Sequence, residues 1–421
     1  MIDRSLLQLI INDQQQLCWQ DSFLLREIPT ALNQTQNIVV VTGIRRCGKS
    51  TLMHQIRHLK AEKDYYLNFD DDRLVKFTAD DFQLLYEIFI SLFGTQHTFY
   101  FDEIQNVAGW ERFVRRLHDY GNKVFITGSN ASMLSRELGT HLTGRFHAYE
   151  LLPFSFKEYL QLGKIEIPAF GLMTTETKAR MTACFDDYFR LGGFPAYLRE
   201  KNQQYLKTLY ENIIYRDVMV RNNLTNQKEL LELVFYLASN VGKLTTYVAL
   251  TKITGISNPT TVKNYISFLE DAYLVFTVNK LSYSVKSQLR NPKKIYLIDQ
   301  ALIRTLGFYF SDNRGRLLEN LVFIELRRQG KQVFYHQGKH ECDFIIRQGA
   351  VVEQAIQVTS SMSDENTRRR EFKGIIEALN EYSLNEGTIL TDHEEEITEV
   401  DGKTIRLIPV WKWLLQSQES R

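Results

Sequence analysis

Residues 41–52, "VTGIRRCGKSTL", constrain the fold more than any other stretch of the chain. The preceding run "NIVVVTG" is short, apolar and β-branched, the pattern of a strand buried on both faces of a parallel sheet. After it, Gly43 and Gly48-Lys49-Ser50 lead into "TLMHQIRHL", whose apolar residues recur at helical spacing. Strand, G-x-x-x-x-G-K-[ST] and helix in that order form a phosphate-cradling P-loop. Each residue type has a reason to be there. Gly43 and Gly48 permit backbone angles and a close approach that a side chain would block, so successive N–H groups can point at phosphate oxygens. Lys49 supplies a positive charge to the β and γ oxygens, and Ser50 a hydroxyl for Mg²⁺. With Arg46, Cys47 and Thr51 these residues make up the expected nucleotide-binding set, and ATP and Mg²⁺ are the expected cofactors.

Hydrolysis needs a second element, and "QHTFYFDEIQNV" supplies it. Thr98–Phe101 reads as a buried strand ending in Asp102 and Glu103. A carboxylate at the C-terminal end of a parallel strand lies beside the P-loop, where Asp102 can hold Mg²⁺ and Glu103 can orient and deprotonate water. The next strand, "KVFITGSN", ends in Ser129 and Asn130, either of which can reach the γ-phosphate or the water. Arg145 follows a glycine and reads as an arginine finger or as a solvated arginine. A finger working across a subunit interface would require a homo-oligomer. Strands alternating with helices to about residue 150 predict a doubly wound α/β domain.

In order, "GIRRCGKSTL", "FDEIQNVAGWE", "ITGSNASMLSRELGTHLTGR", "LLPFSFKEYL", "LGGFPAYL" and "NIIYRDVMVRNN" resemble the prokaryotic AAA-type ATPases that carry a conserved C-terminal domain of unknown function. The resemblance implies that Lys49 and Ser50 bind ATP-Mg²⁺, that Asp102 and Glu103 are the Walker B pair, and that Ser129 or Asn130 is the sensor. Arg145 stands at that family's Gly-Arg position.

Composition leaves room for this reading. At 421 residues the chain is long enough for about three domains. We place them at 1–170 (ATPase), 171–310 (helical and winged helix) and 311–421 (restriction-endonuclease-like). Lys plus Arg is 51 against 50 acids, so any attraction to nucleic acid must be local. Cys18, Cys47, Cys184 and Cys342 are widely spaced, which argues against a disulfide framework or a zinc site and predicts a reducing cytoplasm. No run reaches the ~18 apolar residues of a spanning helix, so no membrane association is expected.

In the middle region, "QKELLELVFYLASNVG", "TTYVALTKITG" and "SNPTTVKNYISFLEDAYLV" read as three helices, the second closed by Gly255 and the third opened by a cap and Pro259. They describe a helix-turn-helix, with "YLVFTVNKLS" and "KKIYLID" as wing strands. Its third helix would present Thr260, Thr261, Lys263 and Asn264 to a major groove. Between Asp271 and Asp299 there is no acid, whereas Lys280, Lys286, Arg290, Lys293 and Lys294 all fall there. Such a stripe suits phosphate contacts, and DNA is the expected partner; the other reading is a protein interface. Arg216 and Asp217 either contact nucleotide or pair with each other. Arg45 and Arg46 either sense nucleotide or bind a partner's acids.

From Arg316 the order helix, three strands, helix, strand places Glu319, Glu341, Asp343 and Gln357 as the skeleton of a nuclease-like metal site. Where a nuclease of this kind reads Glu-x-Lys, the chain has Gln357-Val358-Thr359. Its ammonium is missing unless Arg368, Arg369 or Arg370 replaces it. With that charge and ammonium missing, the expectation is a domain that kept the fold and lost or altered cleavage; the family it resembles includes both Glu-Val-Lys and Gln-Val versions, and this chain is similar to the latter. The reading is thus a Mg²⁺-dependent ATPase coupled to DNA binding or remodelling. The alternatives are a slow nucleotide-operated switch or scaffold for protein partners, and an ATP-gated nuclease.

Overall fold

A computed structural model describes residues 2–16, 23–28, 32, 34–60, 62–131, 142, 144–169, 173–307 and 314–416. The stretch 132–141, which carries part of the "ITGSNASMLSRELGTHLTGR" motif, lies outside the described residues. Two compact units emerge: Met1–Leu152 with Asp271–Tyr273, and Pro153–Glu270 with Leu274–Arg421.

The first unit is built on five parallel strands, β1 (Ile38–Thr42), β2 (Tyr65–Asn68), β3 (Thr98–Asp102), β4 (Lys123–Gly128) and β5 (Phe146–Glu150). Their order is β2-β3-β4-β1-β5. Every residue of β1 and β3 is buried, which is why both read as unbroken apolar runs. On one side the core is largely aromatic. Phe82 stacks on Phe113 with ring centroids 4.5 Å apart, and Trp110 and Leu117 fill the space beside them. Since β1 lies between β4 and β5, its C-terminal end opens where the strand order reverses, the usual place for a ligand crevice in such a sheet. The whole chain is α/β, with this P-loop NTPase sheet followed by helical and mixed-sheet regions.

The second unit opens with helices, among them Thr175–Leu191, Pro195–Glu200 and Gln203–Asn212. The last runs into a π-helical stretch, Ile213–Val220, that buries Asp217 and exposes Arg216. Three more helices follow, Gln227–Ser239, Tyr247–Thr254 and Pro259–Asp271, then an antiparallel pair, β6 (Val275–Asn279) and β7 (Lys293–Leu297). Thr246 caps the middle helix and Gly255 ends it at φ 70°, a left-handed angle suited to glycine.

After helix Arg314–Arg328 come β8 (Gln332–Gln337), β9 (Glu341–Gln348), β10 (Val351–Val358), helix Glu365–Glu381, β11 (Glu386–Thr391), β12 (Glu396–Val400) and β13 (Lys403–Pro409). The six strands form one mixed sheet in the order β12-β13-β11-β10-β9-β8. Residues 171–310 and 311–421 fall in one unit because specific bonds join them. Asn320 exchanges two hydrogen bonds with the Leu297 backbone, at 2.8 and 2.9 Å, and Leu281 N–H donates to the Tyr335 carbonyl at 2.9 Å.

Candidate functional site

The loop after β1 takes its shape from Gly43 at φ 147°, Arg46 at φ 66° and Gly48 at φ 104°. A Cβ on Gly43 would overlap the Leu151 carbonyl, so backbone here packs directly on backbone. Gly43→Ala should therefore abolish nucleotide binding, checked by titration with a fluorescent ATP analogue. Arg26, which no sequence motif marks, braces the loop from below. Its guanidinium donates to the Cys47 carbonyl at 3.1 Å and the Leu152 carbonyl at 2.9 Å. Its backbone exchanges two hydrogen bonds with the Gln55 amide on the following helix. The role comes from folding a distant segment under the loop. Burial pushes the Cys47 thiol up, away from a reactive thiolate.

Lys49 begins the helix Lys49–Lys60, with Ser50 and Thr51 in its first turn. The Lys49 ammonium lies 3.2 Å from the Gly43 carbonyl, 3.3 Å from that of Ile44 and 3.3 Å from Glu103 Oε1. Asp102, fully buried at the end of β3, accepts from the Ser50 and Thr127 hydroxyls and, at 3.3 Å, from Tyr66. Thr127 also accepts from the Glu103 N–H at 2.9 Å, which ties the two acids to β4. Glu103 sits at φ 52°, an uncommon angle for a side-chain-bearing residue, and Gln105 donates to its second oxygen at 2.6 Å. Burial and the Glu103 charge push the Asp102 carboxyl up. Burial works on Glu103 the same way, but the Lys49 ammonium, the Gln105 hydrogen bond and the Arg45 charge together outweigh it and hold that carboxyl low. Of the two acids, Glu103 is the one drawn toward its ionised form, which suits a proton acceptor.

Of the two sensor candidates, both are buried, and the Ser129 hydroxyl has no partner among the described residues. Thr127, which the sequence does not single out, makes the contacts to both acids. Arg145 is a correction as a catalytic residue within its own chain. Its carbonyl pairs with the Ile38 N–H at the N-terminal start of β1, the end of the strand opposite the P-loop, and its guanidinium lies 3.4 Å from Asp119. Arg45 lies 3.9 Å from Asp70, and Arg46 is exposed.

The carboxylates at the nuclease-like position also depart from expectation. Glu319, Glu341 and Asp343 do converge, but on the ammonium of Lys294, at 2.9, 2.6 and 2.7 Å. Among the described residues no group of three or more His, Cys, Asp or Glu side chains is arranged to hold a metal, which corrects the metal role given to Glu319 and Asp343. Nor does an arginine from the following helix replace the missing lysine, since Arg368 pairs with Glu396, Arg369 with Glu365 and Arg370 with Glu371. The ammonium comes from β7. Burial alone would lower the Lys294 pKa, but Asp343 and Glu319 keep it well above the ordinary value.

Lys293 and Lys294 are likewise corrected as DNA contacts. Lys294 is 1% exposed, and Lys293 turns inward to Asn279 Oδ1 at 2.5 Å and the Gln288 carbonyl at 3.3 Å. Both strand lysines spend their donors inside the fold. Thr260, Lys263 and Asn264 are exposed on their helix and Thr261 is half-buried, while Lys286 and Arg290 are exposed between β6 and β7.

Comparison with known proteins agrees with this layout. An AAA domain matches residues 35–160, and two domains of unknown function, DUF8612 and DUF4143, match 182–313 and 314–413. The Methanocaldococcus jannaschii protein MJ1544 is 34% identical over 439 residues, covering 99% of this chain and 96% of its own. A Haemophilus influenzae protein is 31% identical over 402 residues, covering 91% and 95%. Among solved structures, Cdc6p of Pyrobaculum aerophilum is 12% identical with a TM-score of 0.27, covering 76% of this chain and 98% of that one. The near full-length identity to MJ1544, with the three matches in this order, means that the chain belongs to the family of proteins in which an AAA domain is followed by DUF8612 and DUF4143.

Proposed function

We propose that the chain is a Mg²⁺-dependent ATPase whose nucleotide state controls binding to DNA. The observation that carries the hydrolytic half is the meeting of Lys49, Ser50, Asp102 and Glu103 beneath a glycine-shaped loop at a helix N-terminus. The residues fit a nucleotide and its metal. Gly43 leaves a cradle that a Cβ would fill, and two buried hydroxyls at the crevice, on Thr42 and Ser129, have no partner among the described residues. Ser50 and Asp102 would hold Mg²⁺, which when bound neutralises phosphate charge. Lys49 neutralises further phosphate oxygens, with N–H groups at the start of the helix Lys49–Lys60 as their donors. Glu103 takes the proton of the attacking water at its carboxylate, and Ser129 or Asn130 orients that water.

The DNA half rests on the helix order 227–271 and its hairpin, which suit a winged helix. We assign Thr260, Lys263 and Asn264 to the groove and Lys286 and Arg290 to the phosphates. Domains at 1–170, 171–310 and 311–421 remain our division by role. The test is ATP turnover with and without duplex DNA, which should rise with DNA; an unchanged rate would sink the coupling. Changing Lys263, Lys286 and Arg290 together to Glu should cost at least about tenfold in affinity and reduce the log–log salt slope by about one for each phosphate no longer neutralised.

A protein partner is the second reading, favoured by Tyr283, Val285 and Leu289, which stand exposed around the same hairpin. In that case turnover ignores DNA and the triple variant leaves any DNA affinity unchanged.

A further inference from the structure

Three carboxylates from two elements meet at one point in the second unit. Glu319 comes from helix Arg314–Arg328, and Glu341 and Asp343 from β9; Lys294 reaches them from β7. The carboxylates form part of the wall of a cleft of about 630 Å³, with Arg316, Ser360 and Arg370.

An ammonium has three N–H donors and no acceptor. Here it donates to Glu319 and Asp343 and is ion-paired with Glu341, all at 2.6 to 2.9 Å, and the side chain is 1% exposed. Buried and enclosed by three carboxylates, it is not placed to position a water or a phosphate oxygen, which is the work a nuclease lysine does.

The surrounding bonds are committed in the same way. Glu319 Oε1 also accepts from the Tyr296 hydroxyl at 2.6 Å. Asp343 Oδ2 accepts from the Val358 N–H at 2.9 Å. The Gln357 amide spends its oxygen on the Asp343 N–H at 3.0 Å and its nitrogen on Glu371 at 2.5 Å. It therefore offers no oxygen to an ion.

We propose that the Lys294 ammonium is the built-in cation of this cluster, standing where a divalent metal ion would otherwise be held, and that removing it uncovers a divalent-cation site made by Glu319, Glu341 and Asp343. Oxygens 2.6 to 2.9 Å from a common centre need contract by only a few tenths of an ångström to reach the ~2.3–2.6 Å of calcium-like coordination, with water filling the remaining positions. The ion class is an oxygen-preferring divalent cation. A tethered lysine supplies the cluster with a positive charge independent of metal supply, and it fastens the hairpin strand β7 to the sheet of β9.

The experiment is thermal melting of the full chain, without nucleotide, in EDTA and in millimolar MnCl₂. Wild type should melt at the same temperature in both. Lys294→Ala should melt lower in EDTA and regain about 5 °C in Mn²⁺, through ligand binding to the folded state alone. In Lys294→Ala/Asp343→Asn that rescue should disappear. No Mn²⁺ rescue of Lys294→Ala, or a rescue that survives Asp343→Asn, overturns the proposal. If Lys294→Ala does not fold, Lys294→Met keeps the aliphatic stem and carries the same readouts. Wild type provides an independent check by Mn²⁺ electron paramagnetic resonance, since Glu341 is partly exposed and its replacement is tolerable. Saturable Mn²⁺ binding by wild type that Glu341→Ala removes would overturn the proposal, and its absence supports it.

Discussion

Glu103→Gln should bind ATP and turn it over about 10²- to 10⁴-fold more slowly than wild type, the range for removal of a positioned general base. The amide keeps the size of the side chain and can still accept from Gln105, so the left-handed turn at Glu103 and its N–H bond to Thr127 survive. What goes is the negative charge held 3.3 Å from the Lys49 ammonium, and with it the proton acceptor. Lys49→Ala should fail earlier, at binding, because the phosphates lose their charge partner. Steady-state turnover and nucleotide titration on the same samples separate the two losses. Equal turnover in wild type and Glu103→Gln would remove Glu103 from the chemistry. Thr127→Val adds a finer reading. It strips both acids of their shared hydroxyl while leaving them in place, so it should slow turnover more than it weakens binding.

What can be read from the chain in advance follows from how far apart the cooperating residues lie. The P-loop is local: two glycines, a lysine and a serine within one strand-to-helix turn carry their own geometry. Asp102 and Glu103 are legible for a related reason, since the end of a buried strand in a parallel sheet has a known address. Alternating strands and helices give the α/β class, and caps such as Thr246 and the turn at Gly255 give the helix order of the middle region. Lys294 is out of reach. A lysine in a charge-rich stretch looks like a solvated wing residue until the packing of β7 against helix Arg314–Arg328 carries it to Glu319, and no spacing encodes that packing. Arg26 is hidden in the same way by its distance along the chain. The place of Arg145 is hidden too, because a Gly-Arg pair says nothing about which end of a sheet it occupies. Thr127 is overshadowed by Ser129 and Asn130, since a strand end is where polar groups are expected, while the contact to both acids is made from within the strand.

Asp299→Ala should cost on the order of 3–5 kcal/mol of stability, since a single buried carboxylate serves three backbone donors. Its Oδ2 accepts from the Gly193 N–H at 2.7 Å, and its Oδ1 from Ala301 at 2.8 Å and Leu302 at 3.4 Å, which caps the helix Gln300–Leu306. This explains the "LGGFP" segment. A Cβ on Gly192 would run into that carboxylate, and Gly192 stands at φ 67°, so Gly192→Ala should be destabilising for two reasons at once. The carboxyl carries a pH signature. Burial pushes its pKa up to about 6, against the lowering effect of the three N–H bonds and of Arg328. Between about pH 4 and 6 the folded chain keeps a proton that the unfolded chain has released. Stability from this group is therefore complete below about pH 4 and is lost as pH rises through 6, by on the order of 2–3 kcal/mol. Asp299→Asn should flatten that window. It keeps one oxygen for the helix cap but turns an amide N–H₂ toward the Gly193 donor, so it should also lower stability below pH 4 by about 1–3 kcal/mol. Urea unfolding followed by circular dichroism at pH 4, 6 and 8 measures both effects. An Asp299→Ala chain as stable as wild type would mean that the three donors find other acceptors and that the clasp at Gly192-Gly193 does not hold this region together.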